Sequence, residues 1–492
     1  MTLRGRVWIG AATVVPLVFM TISLRPSRLD TLLHERRIFE FRAAVLAMKS
    51  PPAFYRGALA YSFHDWPQAE RELLPVARSF FWWPWAGQGS TAADLLESIY
   101  DISGRNADGH AQYIALGLRS LFWDRALFVA RGRHGDLAIA ERGYSKFPYA
   151  TVDNLLYIPL KINGQPANYA IDTGCSDSFL SDSEAHRLGL TVAPYRIKVS
   201  GYSRDKQVTG VAVASEVTIG KFRLKNVPFL IESDREMGEH VHGLIGLPVL
   251  FALETLRWSS DGMIEIGFPG ARPNIRTANI AIADWKIVTG VGFGNDSLEL
   301  QLDTGAESTC FYPRFRRNYA SHLRLFGRTE PTEVDVGRID RLATRLPEAP
   351  LAIGDSHQLL RPAYVLSQNP TADDNYVDGS IGFDFLGQAA TVTLDFHAMQ
   401  LTMEGDGLIA TSSEHEIGCK LAQGLICLKG WTCTVKPTND GCQLDRLPTT
   451  PWPGNPVPLK YANPNKGHPL DAGFKLPKNQ EQTVRFEVER KK

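Results

Sequence analysis

The feature that most constrains the fold is a short pattern that occurs twice. YAIDTGCSDSFLS at residues 169–181 and LQLDTGAESTCFY at residues 301–313 each carry an apolar run, then Asp-Thr-Gly, then a second apolar segment. The first run in each copy predicts a β-strand that ends at an aspartate, Asp172 in one copy and Asp303 in the other. One Asp-Thr-Gly is weak evidence in a long chain. Two copies in the same context indicate an internal repeat.

The repeat extends on both sides of these triplets. Before them, a turn is followed by a strand in each copy, and Asn163-Gly164 in the first copy is typical of a β-hairpin. After them, each copy has a strand and a short helix, and later an apolar segment containing Ile-Gly. The chain is therefore predicted to contain two similar β-rich halves, residues 150–270 and 280–405. The matching segments are INGQPANYAID with FGNDSLELQLD and GLIGLPVL with GSIGFDFL.

Each half resembles a retropepsin-type aspartic protease domain, and the tandem resembles a two-lobed, pepsin-like arrangement within one chain. The resemblance covers about residues 150–405. It implies a mainly β fold of two tandem β-barrel lobes whose Asp-Thr-Gly loops meet, with Asp172 and Asp303 as the catalytic pair. The residues that it implies as active-site support, which turn the two loops and hold them together, are Thr173, Gly174, Ser176, Thr304 and Gly305.

The chemistry of such a site needs both a base and an acid. Carboxylates about 3 Å apart cannot both ionise at low cost, so one of them keeps a proton. The ionised partner takes a proton from water while the protonated one polarises the peptide carbonyl, which forms a tetrahedral diol without an acyl-enzyme. Glycine after threonine permits a tight turn and close approach of the loops. A threonine hydroxyl can hydrogen-bond the backbone of the opposite loop.

The two copies differ after the glycine. The first continues with Cys-Ser, and Ser176 is predicted to hydrogen-bond the aspartate pair as a serine does in pepsin-like enzymes. The second continues with Ala-Glu, and Glu307 is similar to an acidic residue that retroviral proteases direct toward substrate backbone. SGYSRDKQVTGV at residues 200–211 lies where the family has a hairpin over the cleft. Tyr202 is therefore a candidate substrate contact, with an exposed turn residue as the alternative.

Composition gives no support for nucleic acid, metal or cofactor binding. Lysine plus arginine equal aspartate plus glutamate at 53 each, so the net charge is zero and does not favour a polyanionic partner. HVHG at residues 240–243 is a weak metal pattern. GVGFGND at residues 290–296 aligns with a hairpin turn, with no phosphate-binding helix after it. No cofactor, metal or nucleic acid is expected, and the expected partner is a peptide or protein substrate.

The N-terminus carries an uncharged apolar run, VWIGAATVVPLVFMTISL at residues 7–24, preceded by Arg4 and Arg6. Its length is near the minimum for spanning a bilayer. No small-x-small cleavage site follows it, which favours a membrane anchor within residues 1–27 over a removed signal segment. A buried core helix is the alternative. Basic residues on both sides leave the orientation open.

Four of the six cysteines lie late in the chain. Their spacing lacks the paired pattern of a zinc site, and no histidine lies among them, so two disulfides are favoured over a metal. Disulfides are typical of proteins outside the cytoplasm. A membrane-anchored, extracytoplasmic (periplasmic or extracellular) protein is therefore predicted, or a secreted one if the first segment is cleaved. The remainder of residues 410–492 is proline-rich and indicates an extended arm. The four disulfide candidates are Cys419, Cys427, Cys433 and Cys442.

Residues 28–149 show helical periodicity. Gly57, Ala69 and the apolar positions around them resemble a tetratricopeptide helix pair, and an unrelated helical bundle fits equally well. Either predicts a surface for a protein partner and not a catalytic unit. Residues 150–405, which contain both acids, are accordingly expected to fold and cleave peptides without this region.

The sequence therefore predicts a membrane-anchored, extracytoplasmic aspartic endopeptidase with an α-helical N-terminal domain. The alternative is a catalytically inactive protein that grips an extended peptide and recruits a partner through its helices. Retention of both Asp-Thr-Gly triplets favours the enzyme.

Overall fold

A computed structural model describes a helical region followed by two β lobes. Residues 1–26, with the apolar run, lie outside the described residues, as do Tyr202, Cys419, Cys427 and Cys433. Within the parts of the chain that are described, no helix is both long and apolar enough to cross a membrane. The described residues are 27–79, 87–116, 125–152, 155–199, 206–237, 241–326, 332–335, 340–406, 435–438 and 441–444.

The helical region occupies residues 28–132. Its described helices are α1 (Arg28–His34), α2 (Ile38–Leu46), α3 (Ala53–Ser62), α4 (Trp66–Ser79), α5 (Gln88–Ile102), α6 (Asn106–Leu116) and α7 (Arg125–Gly132). Helices α3 and α4 pack so closely that a Cβ at Gly57 would overlap Leu73. Ala69 on α4 is fully buried. These contacts explain the small residues of the motif, and the resemblance to a tetratricopeptide pair stays a prediction.

Strands begin earlier than the predicted end of the helical domain at residue 149. Strand β1 (Ala138–Glu141) pairs with a long strand of the first lobe, and β2 (Ser145–Pro148) joins a sheet shared by both lobes. The sequence missed them because four-residue strands at sheet edges carry too little periodicity to be recognised.

The first lobe is built on a nine-stranded sheet that closes on itself. The strand order is β1-β9-β6-β10-β5-β4-β8-β7, with β3 on β4, and an additional β8–β9 pairing completes a barrel. Its further strands are β3 (Ala150–Val152), β4 (Leu155–Ile162), β5 (Gln165–Ile171), β6 (Phe179–Ser181), β7 (Val192–Val199), β8 (Lys206–Ile219), β9 (Phe222–Glu232) and β10 (Gly243–Ile245). Its described helices are α8 (Asp182–Arg187), α9 (Asp234–Met237) and α10 (Leu247–Leu253).

The predicted hairpin at Asn163-Gly164 is confirmed. Ile162 pairs with Gln165, which leaves a two-residue turn between β4 and β5. Both turn residues have positive φ, 49° and 82°, and this conformation is the one that favours Asn-Gly in tight hairpins. The turn sets the register of β5, the strand that leads to Asp172.

The second lobe has a ten-stranded sheet. The order is β17-β18-β21-β16-β22-β15-β14-β19-β20, with β13 on β14. Its strands are β13 (Ile280–Ala283), β14 (Lys286–Phe293), β15 (Asp296–Leu302), β16 (Cys310–Phe311), β17 (Thr332–Asp335), β18 (Asp340–Leu346), β19 (Ala349–Ile353), β20 (Ser356–Leu360), β21 (Ala363–Leu366) and β22 (Gly379–Ile381). Its described helices are α11 (Pro313–Asn318), α12 (Ala320–Phe326), the 3-10 helix Ala372–Tyr376 and α13 (Phe383–Leu386).

The two lobes share one arrangement around their central strands. Strand β10 is parallel to β5 and antiparallel to β6, and β22 is parallel to β15 and antiparallel to β16. The outer neighbours also correspond, because β6 runs parallel to β9 and β16 runs parallel to β21. The sequence repeat is thus a structural repeat, and the predicted two-lobed β fold preceded by helices is confirmed.

A third sheet joins the lobes, in the order β2-β12-β11-β23-β24. Strands β11 (Thr255–Ser259) and β12 (Met263–Ile266) follow lobe 1, and β23 (Ala389–Asp395) and β24 (Gln400–Asp406) follow lobe 2. The ends of the two halves therefore pair with each other through β11 and β23. A separate hairpin of β25 (Val435–Thr438) and β26 (Gly441–Leu444) carries Cys442.

Candidate active site

The two central strands deliver their aspartates in the same way. Asp172 follows β5 and Asp303 follows β15. The backbone N–H of Asp172 donates to the carbonyl of Ile245 at 3.0 Å, and that of Asp303 donates to the carbonyl of Ile381 at 3.0 Å. The Ile-Gly segments of β10 and β22 thus fix the backbone of each aspartate from an adjacent parallel strand.

Four hydrogen bonds made by Thr173 and Thr304 join the two loops. The backbone N–H of each threonine donates to the hydroxyl of the other, at 3.0 Å in both directions. Each hydroxyl then donates across the lobe boundary, Thr173 to the carbonyl of Leu302 at 2.8 Å and Thr304 to that of Ile171 at 2.9 Å. Both threonines are fully buried, so water does not replace these bonds.

The glycines allow each carboxylate to lie against the opposite loop. Gly174 donates its N–H to Oδ1 of Asp172 at 2.8 Å, and Gly305 donates to Oδ1 of Asp303 at 3.0 Å. A Cβ at Gly174 would overlap the carboxylate of Asp303, and a Cβ at Gly305 would overlap that of Asp172. Both carboxylates are nearly buried, with residues 8% and 2% exposed for Asp172 and Asp303. The two acids therefore meet at the lobe boundary.

The loops are not equivalent at the third residue after the aspartate. The thiol of Cys175 donates to Oδ2 of Asp172 at 3.0 Å, whereas the corresponding Ala306 has no donor on its side chain. The Ser176 hydroxyl makes no hydrogen bond with Asp172 in the described structure, where the donor is Cys175, three residues after the aspartate. A bond from Ser176 to the aspartate pair through Asp303 stays a prediction.

The predicted substrate contacts have different outcomes. Glu307 is exposed, and its carbonyl accepts from the N–H of Asp384 at 3.3 Å, so its backbone belongs to the support of the second loop. An exposed side chain at this place leaves its substrate role as a prediction. Tyr202 lies outside the described residues. Among those residues, no cluster of three or more His, Cys, Asp or Glu side chains has the arrangement of a metal site.

A buried acid on the second central strand is the main electrostatic feature that the sequence did not indicate. Glu299 on β15 is 7% exposed. Its Oε1 accepts the backbone N–H of Phe39 on α2 at 3.0 Å, and its Oε2 has no hydrogen-bond partner in the described structure. Burial raises the pKa of Glu299 from 4.5 to about 8, although the bond from Phe39 opposes this shift. A protonated carboxyl therefore lies between the helical region and lobe 2 at neutral pH.

We expect Glu299 to make stability decline as pH rises. Between pH 4.5 and about 8 the folded chain holds a proton that the unfolded chain has lost. The stability it contributes is therefore present below that window, and up to about 1.4 kcal/mol is lost per pH unit through it. Glu299→Gln, which keeps an acceptor for Phe39, should flatten this slope in urea unfolding measured from pH 4.5 to 8. The exposed Glu404→Gln is the control, and a slope unchanged in Glu299→Gln would contradict the account.

Comparison with known proteins found a family model and solved structures that are similar to parts of this chain. Residues 158–249 match a family model described as aspartyl protease. A retropepsin-like aspartic protease from Rickettsia conorii is similar at 20% identity, over 26% of this chain and 94% of that protein, with a TM-score of 0.20. An aspartic proteinase from Irpex lacteus is similar at 14% identity, over 55% of this chain and 100% of that protein, with a TM-score of 0.38. The curated proteins gave no match.

Proposed function

We propose that this chain, whose residues 158–249 match a family model described as aspartyl protease, is an aspartic endopeptidase that uses Asp172 and Asp303 together. The observation that carries the proposal is the reciprocal bonding of Thr173 and Thr304, which joins two aspartate loops from different lobes. These bonds, which we call the threonine lock, hold the two acids in a fixed geometry against their mutual repulsion.

In this proposal the ionised carboxylate takes a proton from a water molecule. The water oxygen attacks the peptide carbonyl carbon while the protonated carboxyl gives its proton to the carbonyl oxygen, which forms a neutral tetrahedral diol. One diol hydroxyl then gives its proton to the carboxylate that has just become ionised, the other carboxyl gives the proton it took from water to the peptide nitrogen, and the carbon–nitrogen bond breaks. No covalent enzyme intermediate forms.

The substrate class that follows is a peptide or protein. An inactive peptide-binding protein is the alternative, but the chain retains both Asp-Thr-Gly loops and the threonine lock between them, which does not favour it. We further propose that the chain acts outside the cytoplasm and is anchored in a membrane by residues 7–24. The apolar run and the four late cysteines support that location.

The test is cleavage of a peptide library by the full-length protein in detergent, with products identified by mass spectrometry. We expect internal peptide bonds to be cut, and pepstatin, which imitates the tetrahedral diol, to stop the reaction. The assay is repeated at steps of about one pH unit from about pH 3 to about pH 8. A protein that binds library peptides but cuts none of them at any of these pH values would contradict the proposal in favour of the binding alternative.

The thiol of Cys175 provides a second prediction about this chemistry. Its hydrogen bond to Oδ2 of Asp172 comes from a weak donor, and an ordinary hydrogen bond contributes about 0.5–1.5 kcal/mol. Cys175→Ala should lower kcat about tenfold because the carboxylate loses a fixed donor, whereas Cys175→Ser should stay within a few-fold of wild type. Steady-state kinetics on one peptide decide the matter, and equal rates for Cys175→Ala and wild type would exclude a role for the thiol.

A further inference from the structure

A fully buried arginine of the helical region contacts the first aspartate loop. Arg131 on α7 is 1% exposed. Its Nη2 donates to Oδ1 of Asp177 at 2.5 Å, and its Nη1 donates to Oδ1 of Asp101 on α5 at 2.6 Å. Asp177 lies only five residues after Asp172. The pair of bonds therefore connects two helices directly to the loop that carries one of the two acids.

Arg131, Asp101 and Asp177 form a buried cluster that their opposite charges stabilise. Burial alone lowers the pKa of Arg131, but the charges of Asp177 and Asp101 outweigh burial, so its net pKa is raised and it remains a cation. Burial, and then the charge of Asp177, raise the pKa of Asp101, while Arg131 and a hydrogen bond from Trp285 oppose the rise. Trp285 lies in the turn between β13 and β14 of lobe 2. The cluster thus joins the helical region to both lobes.

The opposite side of the same loop is tied to lobe 1. The N–H of Gly246 donates to the hydroxyl of Ser178 at 3.1 Å, and the N–H of Leu247 donates to the carbonyl of Cys175 at 3.0 Å. Asp177 lies between these two tied residues in sequence. Its side chain is nearly buried and is the part of the loop that faces the helices.

The second loop has the same ties and an additional one within its own lobe. The N–H of Gly382 donates to the hydroxyl of Thr309 at 2.9 Å, as Gly246 does to Ser178. In addition, Asp384 accepts both the N–H and the hydroxyl of Thr309, at 2.8 and 2.6 Å. This extra carboxylate ties the loop to the start of α13.

Lobe 1 has no equivalent of that carboxylate. Counted from the glycine of each Ile-Gly segment, the residue that corresponds to Asp384 is Pro248, which has neither a carboxylate nor an N–H. Conversely, the residue that corresponds to Asp177 in lobe 2 is Ser308, which has no charge. The two loops are therefore supported differently, one by an acid of its own lobe and the other by Arg131.

We propose that Arg131 is a positioning residue for Asp172, and that the helical region is for this reason a permanent part of the active site. The inference deepens the proposed function and rests on it for its kinetic consequences. Arg131 acts through Asp177: it fixes the loop on the side that lobe 1 leaves without support. A displacement of about 1 Å at a reacting group is enough to lower a rate about a hundredfold.

Other contacts between the helical region and the lobes agree with this role. Arg42 donates to the carbonyl of Ile275 at 2.9 Å, in the segment that links the lobes. His64 Nδ1 lies 2.7 Å from the carbonyl of Phe396, next to the shared sheet. Removal of the helices would expose these groups. The sequence led us to expect that residues 150–405 act alone, and the interface gives the opposite expectation.

The test uses the full-length chain with Arg131→Gln. We expect kcat for peptide cleavage to fall about a hundredfold with KM changed less than about threefold, because the loop moves while the rest of the cleft stays. Arg105→Gln is the matched control: Arg105 pairs with Glu70 and Asp108 within the helical region. Its kcat should remain within about twofold of wild type.

Hydrogen–deuterium exchange gives a readout that does not need activity. Amides of residues 174–178 should exchange at least about tenfold faster in Arg131→Gln, while residues 306–309, on the side of the second loop that Asp384 holds, should be unchanged. A folded Arg131→Gln with wild-type kcat and wild-type exchange would overturn the proposal. If that variant does not fold, Asp177→Asn decides in the same way, with a fall in kcat of about tenfold expected. If the wild type cleaves no peptide, the proposed function fails, and the exchange result still decides the role of Arg131.

Discussion

Asp172→Asn and Asp303→Asn should each lower kcat for peptide hydrolysis by at least about a thousandfold. Asparagine keeps the shape of aspartate but neither accepts the proton of water nor shares a proton with its partner, so the water loses its base or the carbonyl loses its acid. The fold should persist, because the amide oxygen still accepts the N–H of Gly174 or Gly305.

Steady-state kinetics, with circular dichroism as the check on folding, measure this effect. The control is Asp182→Asn, which changes an exposed aspartate at the start of α8 in the same lobe. Wild type should also show a bell-shaped dependence of rate on pH whose two limbs belong to the pair and not to either residue. Near-normal turnover by either folded single variant would show that the two acids are not a catalytic pair.

Thr173→Val and Thr304→Val should each lower the free energy of unfolding by about 2–5 kcal/mol, the largest stability effect that we predict. Loss of the Thr173 hydroxyl leaves the N–H of Thr304 and the carbonyl of Leu302 buried without partners, and each such group costs about 1–3 kcal/mol. The rate of peptide hydrolysis should fall together with stability, because the threonine lock sets the distance between Asp172 and Asp303.

Thr173→Ser and Thr304→Ser are the matched controls, since serine keeps the hydroxyl and loses only a methyl group. The measurement is urea unfolding of all four variants and wild type at one pH. The lock would have no energetic role if the valine variants unfolded at the same urea concentration as the serine variants.

The sequence predicted two similar β-rich halves because the repeat is local and strongly patterned, and the resemblance to aspartic proteases implied their arrangement as two lobes. Each aspartate follows an alternating strand, and each Ile-Gly segment recurs at a similar distance, so both central strands were recognisable without any partner information. Pairing between β11 and β23 was not predictable in this way. These strands are more than 120 residues apart, and a short strand carries no signal about which distant strand it will meet.

The finer parts of the site depended on contacts that no motif encodes. Cys175 and Ser176 are neighbours in sequence, and only the direction of the side chain decides which one reaches Asp172. Arg131 lies in RALFVARG, where a charged residue on a helix usually indicates a solvated face. Its burial follows from two carboxylates brought to it by α5 and by the first aspartate loop, which are far from it in sequence.

The most direct test of the central claim is the rate of the double variant Asp172→Asn/Asp303→Asn beside wild type and the two single variants. All four proteins are assayed on one peptide, with folding verified for each. If the two acids act as one unit across the lobe boundary, the double variant should be hardly slower than either single variant, because the first substitution already removes the shared chemistry. Losses that multiply in the double variant would mean that the aspartates act independently, and would contradict the proposed dyad.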